Sequence, residues 1–268
     1  MNNPAKIIFC KCIHCSLSDK KKTDIIEADL SEAATLTIKT DDLCEAVIKQ
    51  NNIVLETLTS QGKTVIIACH QRAVRWLLKS AGIDPEAHQV SFINLHNTES
   101  DILKKKNFAA NRNSQTPDPV NIKASDDWVP WFPVIDYDRC THCRQCMSFC
   151  LFKVFELDEH KKVFVKNHEN CKNNCPACAR ICPEIAIMFP KLDESPINGD
   201  VISEEDENKN LRIDMNAIMD GDMYSAIKKR NARNRNVLLQ RKKIEKALEE
   251  RKKCGCENSS PFKINNNF

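Results

Sequence analysis

The sequence predicts an α/β N-terminal domain with a mainly parallel sheet, then a second, cysteine-rich α+β domain and a charged helical C-terminal tail. The first prediction comes from residues 1–96, where short apolar runs alternate with helical patterns. The second comes from eight cysteines that fall within the 43 residues from Cys140 to Cys182. The third comes from two blocks of opposite charge that follow residue 192.

The N-terminal domain is predicted to contain four strands and at least two helices. The strands are identified from apolar or alternating runs, and they cover Ala5–Cys10, Ala34–Lys39, Thr64–Cys69 and Gln89–Leu95. One helix is expected to begin near Asp41 or Asp42 and to end at Gly62, because glycine readily adopts the left-handed conformation that ends many helices. Another helix is expected from about Gln71 to Ala81. Strands that alternate with helices predict parallel pairing.

Shifts in composition divide the chain into five segments. Acidic residues outnumber basic ones by ten to two in residues 193–222. Basic residues outnumber acidic ones by twelve to three in residues 223–253, where Val237, Ile244 and Leu248 have helical spacing. The predicted segments are the α/β domain 1–96, a linker 97–127, the cysteine-rich domain 128–191, an acidic linker 192–222 and a basic helical tail 223–268.

Composition excludes several classes of protein. The 268 residues carry 40 basic and 37 acidic side chains, so the net charge of +3 is small. No apolar run approaches the roughly 20 residues that a membrane helix needs, and the N-terminus lacks the cleavage site of a signal peptide. We therefore expect a cytoplasmic protein without a membrane span. The five glycines form neither of the glycine-rich loops that hold nucleotide phosphates, so we expect no flavin or nucleotide site.

Two cysteine runs have the spacing of metal ligands. The first is Cys140-x2-Cys143-x2-Cys146-x3-Cys150, and the second is Cys171-x3-Cys175-x2-Cys178-x3-Cys182. A tight loop supplies three thiolates to a compact cluster, and the fourth comes from elsewhere in the chain. Zinc is the alternative metal, but zinc sites usually pair two cysteines with two more ligands a dozen or more residues away. A disulfide framework is a weaker interpretation, because the fifteen cysteines are odd in number and clustered.

Polar and aromatic side chains near the first run have structural interpretations. Trp128, Trp131 and Phe132 precede the first cysteine, and we expect them to cover one side of the small domain. His142 lies inside the first run. We expect this histidine to be an exposed polar residue or a hydrogen-bond donor to sulfur rather than a ligand.

The segments DRCTHCRQCMSFC and ENCKNNCPACARICPEIAI resemble the bacterial-type two-[4Fe-4S] ferredoxin family over about 60 residues. The resemblance implies that the fourth cysteine of each run ligates the other cluster. The implied ligands are Cys140, Cys143, Cys146 and Cys182 for one [4Fe-4S] cluster, and Cys150, Cys171, Cys175 and Cys178 for the second. The sequence departs from the family in two places, because Leu151 replaces the usual proline and Cys171-x3-Cys175 is one residue longer. These departures affect the second cluster most.

Five further cysteines are predicted to gather at one edge of the N-terminal sheet. Cys10 and Cys69 end predicted strands, Cys44 follows another, and Cys12 and Cys15 extend the first strand into a loop. Carboxyl ends of parallel strands meet at one edge, where open α/β folds build their sites. Unrelated structural cysteines are the alternative, since free cysteine is often buried, but they leave the C-x-C-x2-C run unexplained. We therefore expect residues 1–96 alone to bind a centre.

The segments IIFCKCIHC, LCEA, VIIACHQRAVRWLLKSAGI and FINLHN provide a second resemblance. They are similar to the small iron–sulfur subunit that links hydrogenase to heterodisulfide reductase, and to the N-terminal region of the A-type subunit of heterodisulfide reductase. The small-subunit family implies a centre of the [2Fe-2S] kind. Its ligands would be drawn from Cys10, Cys12, Cys15, Cys44 and Cys69, which is one residue more than a cluster needs. His14 and His70 are considered as substitute ligands of the Rieske type, but the cysteines are favoured over them.

The two resemblances imply an electron carrier or electron-wiring subunit in an anaerobic cytoplasm. Its partners would be a flavoprotein, a hydrogenase or a reductase, and it would perform no bond chemistry alone. One alternative is a subunit of a heterodisulfide-reductase-like oxidoreductase whose N-terminal centre meets a disulfide substrate. Another is a redox sensor whose basic tail binds nucleic acid, although a solvated or partner-binding helix is the favoured interpretation of the tail. We expect the tail to be dispensable for cluster binding.

Overall fold

The N-terminal half forms one five-stranded sheet. The structure, a computed structural model, describes residues 6–15, 19–32, 36–96, 119–203, 206 and 234–253. The strands are β1 (Lys6–Cys10), β2 (Leu36–Thr40), β3 (Thr64–Ala68), β4 (Val90–Asn94) and β5 (Val120–Ile122), and their spatial order is β4-β3-β1-β2-β5. Every neighbouring pair is parallel. The predicted parallel sheet is therefore confirmed.

The sheet continues further along the chain than residue 96. Strand β5 pairs with β2, and it comes from the segment 97–127 that composition predicts to be a linker. Residues 97–118 lie outside the described residues, so the difference concerns the end of that segment. Two of the three residues of β5 are exposed. A short edge strand of this kind carries too little apolar signal to stand out from the polar residues before it.

Helices cover both faces of the sheet. They are α1 (Lys20–Glu32), α2 (Leu43–Ile48), α3 (Asn52–Thr59) and α4 (Gln71–Ser80). On one face, Ile26 and Leu30 of α1 pack with Phe9. On the other face, Val47 of α2 and Leu77 of α4 belong to the main core. Strands β1 and β3 are buried along nearly their whole length, as expected for central strands that are covered on both sides.

The single helix predicted before Gly62 is in fact two helices, α2 and α3. Gln50 lies between them with a φ of 52°, so the helical path is interrupted there. The side chain of Asn51 accepts a hydrogen bond from the N–H of Val54 at 3.3 Å and caps α3. Asparagine is among the strongest N-cap residues, which explains why the second helix begins at this point.

The cysteine-rich half is built from short elements. Strand β6 (Val134–Ile135) pairs with β9 (Ile187–Met188), and β7 (Phe155–Leu157) pairs with β8 (Val163–Val165), both antiparallel. Its helices are α5 (Gln145–Phe149) and α6 (Ala177–Arg180), with a 3₁₀ turn at His168–Asn170. Its core includes Trp131, which stacks on Phe189 with ring centroids 5.4 Å apart.

The two halves share a packed interface. Phe132 belongs to the core of the sheet, whereas its neighbour Trp131 belongs to the core of the cysteine-rich half. The aromatic residues therefore join the halves rather than covering one side of the small domain. Arg72 of α4 donates to the carboxylate of Asp136 at 2.6 Å and to the carbonyl of Ile185 at 2.6 Å. Both acceptors lie in the cysteine-rich half.

The C-terminal helix α7 (Asn234–Lys253) packs on α6. Ala247 is fully buried against Phe149 and Ile181. Arg180 of α6 contacts Glu250 of α7 at 2.8 Å. The predicted helix is present and docked, while Cys254 and Cys256 lie outside the described residues. None of the described helices is long and apolar enough to cross a membrane.

Candidate metal centres

Thirteen cysteines lie in the described residues, none of them in a disulfide. They are divided among three cavities, and each cysteine lines one of them. The first cavity is lined by Cys140, Cys143, Cys146 and Cys182. The second is lined by Cys150, Cys171, Cys175 and Cys178. The third is lined by Cys10, Cys12, Cys15, Cys44 and Cys69. Their volumes, open mouths included, are similar at about 370, 360 and 310 Å³ respectively.

The first cavity combines three cysteines of the first run with the last cysteine of the second. Cys146 lies in α5, and Cys182 follows α6. The thiol of Cys182 accepts a hydrogen bond from the N–H of Ala186 at 3.3 Å, a contact of the kind that tunes cluster potentials. Burial raises the pKa of the Cys146 and Cys182 thiols. Cys143 is exposed, so this cavity reaches the protein surface.

The second cavity has the complementary composition, with one cysteine from the first run and three from the second. Cys178 lies in α6, and burial raises the pKa of its thiol well above the ordinary value. Arg251 of α7 lines the same cavity, and its guanidinium lies 4.9 Å from the ring centre of Phe149. The C-terminal helix therefore forms part of the wall of this cavity.

His142 lines the first cavity, but its Nδ1, the nitrogen near the sulfur of Cys140, is not a hydrogen-bond donor. Its Nδ1 accepts a hydrogen bond from the N–H of Val163 at 3.1 Å. The same nitrogen lies 3.8 Å from the sulfur of Cys140. A nitrogen that accepts from a backbone N–H carries no proton of its own to donate. His142 therefore connects the first run to strand β8. The sequence did not predict this connection.

The third cavity lies at the carboxyl edge of the parallel sheet. The sulfurs of Cys10 and Cys12 are 3.1 Å apart, and the sulfur of Cys10 accepts from the N–H of Leu43 at 3.2 Å. Cys69 follows strand β3, and Cys44 lies in the first turn of α2. The structure therefore brings all five N-terminal cysteines together at the predicted edge.

Four of these five thiols interact with one another. Hydrogen bonds with Cys10 and Cys69, together with burial, raise the pKa of Cys12. The hydrogen bond with Cys12 lowers the pKa of Cys69. Burial raises the pKa of Cys44, and the thiols of Cys69 and Cys10 act in the same direction. The sulfur of Cys15, in the same cavity, lies 3.9 Å from His96 Nε2 and 4.0 Å from the carbonyl oxygen of Pro190.

The two histidines considered as substitute ligands do not line the third cavity. His70 is buried, and its Nδ1 lies 3.6 Å from Asp200 and 3.3 Å from the side-chain amide of Asn94. Sequence reasoning missed two other residues that do line it, Asp42 and Lys191. Nothing in the sequence points to them as a pair, because 149 positions separate them.

The donors at the three cavities suit iron–sulfur chemistry. Thiolate is the ligand type that holds such clusters, and each cavity offers at least four cysteines. Within the described residues, no group of three or more His, Cys, Asp or Glu side chains is arranged to hold a single metal ion.

Comparison with known proteins assigns the two cysteine runs. Residues 139–199 match the model of the 4Fe-4S dicluster domain. A ferredoxin of Methanothermococcus thermolithotrophicus is 38% identical over 55 residues, which cover 20% of this chain and 88% of that protein. The chain belongs to the 4Fe-4S dicluster ferredoxins through this domain. The dicluster domain extends eight residues beyond the predicted boundary at 191, and its match favours iron–sulfur clusters over zinc.

Two further relatives place the dicluster domain in different contexts. An uncharacterized ferredoxin of Methanocaldococcus jannaschii is 46% identical over 63 residues, or 23% of this chain and 42% of that protein. The delta subunit of the NADH-dependent phenylglyoxylate dehydrogenase of Aromatoleum evansii is 38% identical over 58 residues, or 22% of this chain and 59% of that subunit. The chain thus spans about half the length of these two relatives. No solved structure matches it significantly.

The dicluster match establishes ferredoxin-like iron–sulfur electron transfer as the activity of residues 139–199. The match does not include residues 1–138, so the five cysteines of the third cavity lie outside it. The resemblance of the N-terminal residues to subunits of hydrogenase and heterodisulfide reductase complexes remains an expectation.

Proposed function

We propose that the chain is an electron-transfer subunit with two [4Fe-4S] clusters and a third iron–sulfur centre. The single observation that carries this proposal is the presence of three cysteine-lined cavities of similar size in one packed molecule. The first and second cavities contain the cysteine sets that the crossed ligation of two-cluster ferredoxins requires. When bound, such clusters accept and release single electrons without bond chemistry.

Four cysteines are proposed as ligands of the third centre: Cys10, Cys12, Cys44 and Cys69. The sulfurs of Cys10 and Cys12 are 3.1 Å apart, Cys12 is also hydrogen-bonded to Cys69, and the thiols of Cys69 and Cys10 act on that of Cys44. We propose Cys15 as the spare cysteine, with its sulfur near His96 Nε2 and the carbonyl oxygen of Pro190. In line with the resemblance to the small hydrogenase-linked subunit, we propose that the centre is of the [2Fe-2S] kind.

The packing of side chains supports an electron path through the molecule. Cys146 of the first cavity is close enough to Cys178 of the second for its charge to help raise the pKa of Cys178, after burial and nearer thiols. Cys171 of the second cavity packs against both the core of the sheet and the core of the dicluster domain. Cys143 is exposed, and we propose that electrons are exchanged with a redox partner at this residue.

The proposed partner is a flavoprotein, a hydrogenase or a reductase within an oxidoreductase complex. A relative that is a subunit of an NADH-dependent dehydrogenase supports this class of partner. Direct reduction of a disulfide by the chain is a weaker proposal, because the N-terminal thiols are all buried. A nucleic-acid-binding tail is also weaker, because Lys246 and Arg251 of α7 already contact Glu194 and Phe149.

Iron and sulfide analysis of the full chain, purified without oxygen, tests the proposal. Two cubane clusters account for about eight iron atoms per chain, and a third centre adds to that number. Cys69→Ser is expected to lower the iron content to that of two clusters, and to remove one signal from the electron paramagnetic resonance spectrum of the reduced protein. Zinc without sulfide, or wild-type protein with only the iron of two clusters, would contradict it.

Crossed ligation predicts that a substitution in one cysteine run damages the cluster of the other run. Cys182→Ser is expected to damage the cluster of the first cavity, and Cys150→Ser the cluster of the second, because each residue lines the cavity of the other run. Spectra of the two variants distinguish the clusters. Damage confined to the run that carries each substitution would show that ligation is not crossed.

A further inference from the structure

The third cavity contains a buried ion pair that no cysteine pattern predicts. The Nζ of Lys191 lies 3.0 Å from Oδ2 of Asp42 and donates to Oδ1 at 3.2 Å. Only 7% of the Lys191 side chain and 2% of the Asp42 side chain are exposed. Both residues line the cavity beside the five thiols. The pair also joins the two halves, since Asp42 precedes α2 and Lys191 belongs to the dicluster domain.

Stability alone does not explain why this pair is buried. Transfer of two charges out of water costs several kcal/mol per ion, and a buried pair is often no better than apolar residues of the same size. Lys191 nevertheless shares the wall of the cavity with Cys44 and Cys69, so its charge lies beside the proposed ligands. The carboxylate of Asp42, 3.0 Å from Nζ, favours the charged form of Lys191. The ion pair therefore places a positive charge at the wall of the cavity.

We propose that Lys191 of the dicluster domain is a positioning residue that raises the reduction potential of the N-terminal centre, and that Asp42 opposes it. The inference rests on the proposed third centre. A centre with thiolate ligands is anionic and becomes more so when it gains an electron. A buried positive charge beside it therefore favours the reduced form, and a buried negative charge favours the oxidised form. The step concerned is the exchange of one electron between the dicluster domain and the N-terminal centre, in which one gains the electron that the other loses, without any change in bonds.

Lys191 links the N-terminal centre to the dicluster domain. The residue that tunes the N-terminal centre comes from the domain that exchanges electrons with it. Pro190 and Lys191 follow strand β9 by two and three residues. One short segment of backbone therefore lines the first cavity, through Ile187, and the third cavity, through Pro190 and Lys191. A separated dicluster domain would leave the N-terminal centre without this charge.

Redox titration of the full chain, followed by electron paramagnetic resonance, tests the inference. Lys191→Met is expected to lower the potential of the N-terminal centre, and Asp42→Asn to raise it. Asparagine retains a side-chain oxygen that can cap α2 by accepting from the N–H of Glu45, so Asp42→Asn is the matched change of charge. The double variant Lys191→Met/Asp42→Asn removes both charges and is expected to lie between the single variants. The potentials of the two dicluster clusters are expected to change less.

The outcomes separate the inference from the proposed function. Shifts of opposite sign in the two single variants support the role of Lys191. A centre that is present with the same potential in all variants would overturn that role and leave the proposed function standing. Shifts of the same sign would show that the pair acts through structure alone and would also overturn it. Absence of iron from the third cavity in the wild-type chain would overturn both.

Discussion

The five cysteines of the third cavity differ in their surroundings, although the sequence treats them alike. Cys10 and Cys12 have sulfurs 3.1 Å apart, and Cys12 is also hydrogen-bonded to Cys69. Cys15 instead faces His96. The carboxyl ends of parallel strands predicted that the five would gather, but not how the surroundings of each thiol would differ. That distinction depends on the turn after Cys12, whose φ of 51° no pattern of residue types specifies.

This difference predicts unequal effects of substitution. Cys44→Ser is expected to abolish the N-terminal centre, because it removes one of the four proposed ligands. Cys15→Ser is the control, since it changes a thiol in the same cavity and is expected to leave iron content and visible absorption unchanged. Iron analysis of both variants checks this. A variant at Cys15 that loses the centre while Cys44→Ser retains it would show that the ligand set is wrong.

At the scale of single elements, the C-terminal helix is present as predicted, but its contacts with the dicluster domain include residues outside the predicted apolar spacing. The apolar spacing of Val237, Ile244 and Leu248 predicted the helix, but Leu248 is 39% exposed. Among the side chains described for residues 242–253, Ala247 is the buried one, and Glu250 pairs with Arg180. A small residue and charged residues give no apolar stripe, so the docking face cannot be recognised without its partner helix. The expectation that the tail is dispensable for cluster binding stays a prediction, although Arg251 of α7 lines the second cavity.

A charge placed on the buried face is expected to undock the helix. Ala247→Asp puts a carboxylate among Phe149, Ala177 and Ile181, where an unpaired charge costs several kcal/mol. The second cluster is then expected to lose iron faster in air or with a chelator, and α7 to be cleaved faster by a protease. Leu248→Asp adds the same charge one residue away on the exposed side, and is expected to change neither rate. Equal iron loss in both variants would mean that docking of α7 does not protect the cluster.

At the scale of the whole molecule, the two halves are fitted to each other by backbone contact. Gly199, at the end of the dicluster match, has a φ of +94°, and a Cβ there would lie 2.5 Å from the Cβ of Ala73 in α4. The sequence shows a glycine at this position but not its neighbour. It also predicted an independent unit of residues 1–96, whereas Pro190 and Lys191 complete the third cavity. We therefore expect residues 1–96 alone to form an incomplete site.

A pair of glycine substitutions measures the contact between the halves. Gly199→Ala and Gly82→Ala both place a side chain on a residue with positive φ, and this strain costs roughly 1–2 kcal/mol. Only Gly199→Ala also creates a clash, since no atom lies within 4 Å of the position that a Cβ would take at Gly82. Overpacking adds about 1–3 kcal/mol, so Gly199→Ala is expected to unfold at a temperature several degrees below that of Gly82→Ala. Equal thermal midpoints, measured without oxygen, would show that the interface accommodates the added methyl group without loss of stability.

The bridge from Arg72 to Asp136 and Ile185 also affects how quickly electrons can be exchanged. A ferredoxin that diffuses must find its partner before every transfer, and the rate of encounter depends on concentration and ionic strength. Arg72 is largely buried, and its two hydrogen bonds of 2.6 Å hold the dicluster domain against the sheet. In the proposed electron path, transfer between the two halves has the fixed, high effective concentration of tethered groups. Exchange at the exposed Cys143 is then the second-order step that added salt is expected to slow.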